Sequence, residues 1–122
     1  MKKAIMIAAL MLGIAAAGFA QEQKPTVVEL DQTPGKFEKE GLTLTAGKYV
    51  FEVSNVGVEK EVGFVIVPVV NGQEGAHIVE GYLSKTIKDG EKASSKVVDL
   101  KPGIYAYFCP LNPTPHYTIT VK

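Results

Sequence analysis

Gly103-Ile104-Tyr105-Ala106-Tyr107-Phe108-Cys109, then Pro110-Leu111-Asn112-Pro113-Thr114-Pro115-His116, then Tyr117-Thr118-Ile119-Thr120-Val121 is the stretch that decides the fold. Lys101-Pro102-Gly103 reads as a tight turn, because proline presets one backbone dihedral and glycine accepts the unusual one. Beyond it Tyr105, Tyr107 and Cys109 fall on one face of an alternating run, the period of a half-buried strand. Three prolines stiffen the loop that follows. The last five residues alternate again and are rich in β-branched and aromatic side chains, which suit a pleated surface. A strand, a rigid loop and a strand therefore end the chain, with the single cysteine where the first strand stops.

The same grammar runs backwards through the sequence. Residues 26–30 predict a first strand and Pro34-Gly35 a turn. Residues 42–44 predict a short strand, and Ala46-Gly47-Lys48 turns into another over 49–54. There Tyr49, Phe51 and Val53 alternate with Val50, Glu52 and Ser54, so one face is core and the other partly wet. Asn55-Val56-Gly57 breaks it. Residues 62–70 form a nearly unbroken apolar run, the mark of a central strand, with Pro68 ending its regular pairing because proline has no N–H for the ladder. Residues 71–89 are the least regular, with room for a short helical turn over 76–83, and 96–100 predict a further strand. About seven short strands at regular spacing predict an all-β, Greek-key, antiparallel two-sheet sandwich.

The N-terminus reads differently. Lys2 and Lys3 precede a long apolar run, and Gly18-Phe19-Ala20 offers small residues just before Gln21. This is the layout of a cleaved secretory leader over residues 1–20, leaving one domain over 21–122 in the periplasm or outside the cell. The alternative, a membrane anchor, lacks a basic stop-transfer flank, so no membrane span is expected once the leader is removed. Met1, Met6 and Met11 are the only methionines, and all three leave with the leader. The chain contains no arginine, and its 13 lysines are interspersed with 13 acids, so it lacks the basic patch that nucleic-acid binding requires. One cysteine cannot make an internal disulfide. In an exported chain it is an intermolecular partner, a reactive thiol, a metal ligand or a buried inert thiol.

The G-x-Y-x-aromatic-aromatic-C run and its ligand-bearing loop resemble the last two strands of the cupredoxins, the small blue-copper proteins such as plastocyanin, azurin and amicyanin. Leu44-Thr45-Ala46-Gly47-Lys48-Tyr49-Val50-Phe51-Glu52-Val53-Ser54-Asn55 resembles the strand and Asn-bearing turn before the family's first histidine. Gly63-Phe64-Val65-Ile66-Val67 resembles the strand after it. The resemblance covers most of residues 26–122 and implies a cupredoxin-like sandwich, copper as the metal and a redox protein as partner. It also implies Cys109 as the thiolate ligand. A blue-copper centre joins two imidazoles, one thiolate and a weak axial ligand, and here the sequence departs from the family. No histidine precedes the Gly-Phe-Val-Ile strand; Lys60 occupies that slot, with Glu61 beside it. No axial methionine exists in the mature chain, and six residues separate Cys109 from His116.

His116 is the leading imidazole candidate, and its alternative is a surface side chain capping the last strand. Glu61 offers an oxygen, and His77, in the irregular segment, is the remaining imidazole. Cys109 and His116 also invite a reading as nucleophile and base, but a thiol at the end of a packed core strand has no access for a substrate, so no enzyme is expected. The function expected is copper binding, in one-electron transfer or copper handling. Two alternatives stand beside it: a metal-free cupredoxin-fold module for binding or structure, and a Cu(I) chaperone.

Overall fold

The computed structural model describes residues 24–122 and shows a sandwich of two sheets. The predicted leader over residues 1–20 lies outside the described residues. Ten strands follow in order: β1 (Thr26–Thr33), β2 (Lys36–Phe37), β3 (Leu42–Leu44), β4 (Gly47–Asn55), β5 (Val65–Val70), β6 (Gln73–Glu74), β7 (Lys92–Ser94), β8 (Val98–Leu100), β9 (Gly103–Phe108) and β10 (Tyr117–Val121). One sheet runs β2-β1-β4-β7 with β8 also on β4; the other runs β3-β10-β9-β5-β6.

The strand alternation read from the sequence sets which side chains meet between the sheets. Tyr49, Phe51, Val53 and Asn55 of β4 are all buried, and so are Val28, Leu30 and Gln32 of β1. Phe37, Phe51, Phe64 and Tyr107 build an aromatic centre, with Phe51 stacked on Phe64 at 5.1 Å and Phe37 edge-on to Tyr107 at 5.3 Å. Burying a side chain of this size contributes about 1.5–3 kcal/mol.

Pairing is mixed, where antiparallel pairing was expected. β1 lies parallel to β4, Thr26 opposite Tyr49 through Gln32 opposite Asn55, and β3 lies parallel to β10. Both parallel pairs join strands that no tight turn connects, so no local signal announces them. The central strand begins at Val65, while Val62 makes an isolated bridge to Ile87. β7 is an addition to the expected strands, and the strand expected over 96–100 is shortened to β8 because Lys96 is drawn to the Glu80 carbonyl. The expected helical turn is a single 3-10 turn, Val79–Gly81.

One consequence of the parallel β1–β4 pair positions the site. Both strands finish at the same end, next to the start of β5 and the finish of β9. The turn at Gly35, the loop after Asn55, Gly63 and the Cys109 loop are in direct hydrogen-bond contact there.

Candidate functional site

Cys109 follows directly on β9, continues the inward face of Tyr105 and Tyr107, and is buried. Its sulfur accepts two backbone hydrogen bonds, from Gly63 N–H at 3.3 Å and from Asn112 N–H at 3.3 Å. Donors so aimed complement a sulfur carrying negative charge, as a metal-bound thiolate does. The backbone of Cys109 is fixed as well: its N–H donates to Thr114 Oγ1 at 3.0 Å, and its carbonyl accepts from Thr114 N–H. The proline-stiffened loop therefore curls back over the cysteine.

Two buried amides support this end. Asn112 Nδ2 donates to Gln32 Oε1 at 3.0 Å and to the Thr33 carbonyl at 2.9 Å, while its Oδ1 accepts from Gly35 N–H. Gln32 Nε2 donates to the Gly63 carbonyl at 3.0 Å. Asn55, at the end of β4, holds the next loop: its Nδ2 donates to the carbonyls of Val58, Lys60 and Ile87, and its Oδ1 accepts from Val58 N–H. Sequence reasoning saw the Asn55 turn but passed over Gln32 and Asn112. An alternating strand with a polar residue on its apolar face at Gln32 was the available signal.

Tyr107 anchors the strand beneath the cysteine. Its hydroxyl donates to the Lys39 carbonyl at 2.6 Å and accepts from Gly41 N–H at 3.1 Å. Burial pushes its phenol above the ordinary tyrosine value, an effect the Gly41 hydrogen bond partly offsets.

The other candidates lie elsewhere. β10 begins its ladder with Tyr117 opposite Tyr107, and both point inward. The residue before, His116, therefore stands beside Phe108 on the outer face, because successive strand residues point to opposite sides. Its ring stacks on Phe108, 3.8 Å between centroids with planes parallel to 1°, and its Nδ1 meets Glu74 Oε2 at 2.7 Å. His77 arrives by a path not evident in the sequence. The segment after β6 runs back along the free edge of β5, with Gly75 N–H on the Pro68 carbonyl and Ile78 N–H on that of Ile66. At Gly81 this segment lies so close that an added methyl would collide with Ile66. His77 thus lies edge-on to Phe108 at 6.2 Å and shares a hydrogen bond with the Tyr82 hydroxyl at 2.7 Å. Lys60 offers its carbonyl to Asn55, and its side chain is exposed; Glu61 is exposed and bonded to the Thr86 hydroxyl.

The structure thus brings Cys109 together with Gly63, Asn112 and Thr114, and brings His116 and His77 together around Phe108. Among the described residues no hydrogen bond joins the two groups. Among the described residues no three His, Cys, Asp or Glu side chains gather where they could hold a metal ion. A blue-copper centre takes two imidazoles and a thiolate in one trigonal plane; the groups at the Cys109 sulfur are backbone N–H donors. The residues present do not fit that centre. A cavity of about 380 Å³ is bordered by Gly63, Phe64, Pro110 and Leu111 together with His77 and Tyr82.

Known proteins bear on the fold. Auracyanin B superposes with a TM-score of 0.62 at 18% identity, over 84% of this chain and 93% of that one. Auracyanin A, a "blue" copper protein from the green thermophilic photosynthetic bacterium Chloroflexus aurantiacus, gives 0.60 at 16% identity, over 81% and 100%. The auracyanin of Roseiflexus castenholzii gives 0.59 at 14%, over 82% and 99%. Among curated proteins no sequence match is found. The family model described as a cupredoxin-like domain matches residues 4–121. Two sheets closed around an aromatic centre, a cysteine at the end of β9 and that match agree, and the chain belongs to the cupredoxin-like domain family.

Proposed function

We propose that this is an exported, non-enzymatic copper-handling protein in which Cys109 takes Cu(I) as cargo. One observation carries the reading: the Cys109 sulfur accepts two backbone N–H donors, and among the described residues no three His, Cys, Asp or Glu side chains gather as a metal site. Soft Cu(I) selects thiolate, whereas Cu(II) favours imidazole and a tetragonal set of nitrogens and oxygens. On this reading a partner protein supplies the second ligand during transfer, and the sulfur is reached past Pro110 and Leu111. His116, His77, Glu61 and Lys60 are not ligands in it. The periplasm or the cell exterior is the proposed place of work, following the leader expected over residues 1–20.

A second reading rests on a different observation. Cys109 is 1% exposed, and a thiol so enclosed also suits a cupredoxin sandwich without metal that serves as a binding or structural module.

The experiment uses the chain from Gln21 onward, with and without Cys109→Ala. Cu(I) affinity is measured by competition with a chromophoric chelator, and the visible spectrum is recorded with Cu(II). Tight Cu(I) binding that Cys109→Ala abolishes, without an intense visible band from Cu(II), is the expected result. An intense Cu(II) band lost in the variant would replace this reading with a blue-type site. Binding of neither ion would leave the metal-free module.

A further inference from the structure

The contacts around the sulfur close into a ring. Gly63 N–H donates to Cys109 Sγ, and the Gly63 carbonyl accepts from Gln32 Nε2. Gln32 Oε1 accepts from Asn112 Nδ2, and Asn112 N–H donates back to the same sulfur. Four residues from three separate parts of the chain thus form one cycle, and Gln32 is its only member on a regular strand. Gln32 is 0% exposed and Asn112 5%, so water does not compete for these amides. Among the described residues no buried side-chain nitrogen or oxygen lacks a partner.

We infer that Gln32 and Asn112 are the positioning residues of the thiol site, fixing both N–H donors on the sulfur. The Gly63 N–H lies in the Val62–Gly63 peptide, whose carbonyl accepts from Ile87 N–H, and Gln32 holds the next peptide through the Gly63 carbonyl, so the glycine is gripped from both sides. The Asn112 peptide is oriented by its own side chain, which grips Gln32, Thr33 and the Gly35 turn. One glutamine side chain thus touches both arms of the ring, the residue that carries one donor and the side chain of the residue that carries the other, and its loss is expected to loosen both. Buried networks of this kind are coupled, so single deletions do not add. The inference rests on the Cu(I) reading only for what the sulfur is used for; the geometry it claims belongs to the metal-free chain.

The test has two arms. In the first, backbone amide spectra of the metal-free protein are recorded for Gln32→Met, which keeps the shape and removes both ring bonds. The Gly63 and Asn112 amide signals are expected to shift together and to exchange faster with solvent. Thr114→Val serves as the control: it loosens the same loop without touching a sulfur donor, so stability falls while those two signals hold. In the second arm Cu(I) affinity is measured, and Gln32→Met is expected to weaken it about tenfold, the weight of one hydrogen bond to a charged group. Gly63 and Asn112 signals that stay in place in Gln32→Met, or that move equally in Thr114→Val, would overturn the inference. If Gln32→Met does not fold, hydrogen exchange on the unaltered protein decides: one shared protection for the Gly63, Asn112 and Gln32 amides supports the ring, and independent rates overturn it. A wild-type chain that binds no Cu(I) but shows the coupled amide response would end the copper reading and leave the positioning role standing.

Discussion

β9 has two faces with opposite characters. Inward it presents Tyr105, Tyr107 and, just past its end, Cys109, whose sulfur receives only backbone N–H donors. Outward it presents Phe108, which gathers both histidines of the chain, His116 stacked and His77 edge-on. A distance of one residue along the strand separates a thiol without imidazole from imidazoles without thiol. The difference teaches that ligand proximity in sequence is decided by strand parity before it is decided by loop length. With Tyr117 opposite Tyr107, a histidine directly before Tyr117 takes the outer face.

The most forceful way to break the comparison is to remove the inner anchor. Tyr107→Ala opens the aromatic centre and frees two hydrogen bonds, to the Lys39 carbonyl and from Gly41 N–H. It is expected to cost about 3–5 kcal/mol in urea unfolding. Phe108→Ala, one residue away on the outer face, is expected to cost about 1–2 kcal/mol, since that residue is only half-buried and loses its packing on Val65, Val67 and Ala106 and its contacts with the two histidines. Equal costs for the two would erase the distinction between the faces.

A smaller effect comes from alkali. The Tyr107 phenol is raised by burial, so the folded chain binds that proton more tightly than the unfolded chain. Its contribution is complete below the unfolded tyrosine value and is lost as pH climbs from there through the raised folded value. Stability measured across that range should fall in wild type, and less steeply in Tyr107→Phe. The smallest effect is expected from His116→Ala. It removes an exposed contact with Glu74 and the stack on Phe108, together worth about 1 kcal/mol, and leaves Cu(I) affinity unchanged. A large loss of affinity in that variant would place His116 back at the sulfur.

The fold was legible because its signals are local. The tyrosine alternation in β9, the Asn55 turn and the glycines and prolines between strands announce elements without reference to distant partners. The two parallel pairs were not legible, since β3 is three residues long and its partner β10 lies at the far end of the chain. The candidate site was legible at Cys109 and much less so around it. His116 depended on a hairpin register that the proline loop conceals, and His77 on a return path held by isolated backbone bonds. Gln32 betrays itself only as a polar residue on an apolar strand face, and Asn112 carries no signature of its own, because an amide shows its role only through the partners that folding brings to it. Lys60 and Glu61 lie in the loop beneath Asn55 and are exposed.

That loop has a further consequence. Asn55 grips residues 58 and 60 by their main-chain atoms, Asp89 accepts from Gly57 N–H, and the Val58 side chain is buried in the core. The anchors of the segment are its main chain and the buried Val58 and Val62, none of them Glu59 or Lys60. Glu59 and Lys60 are thus interchangeable lettering on a fixed frame, open to deliberate replacement, imidazoles included, without asking the sandwich to refold.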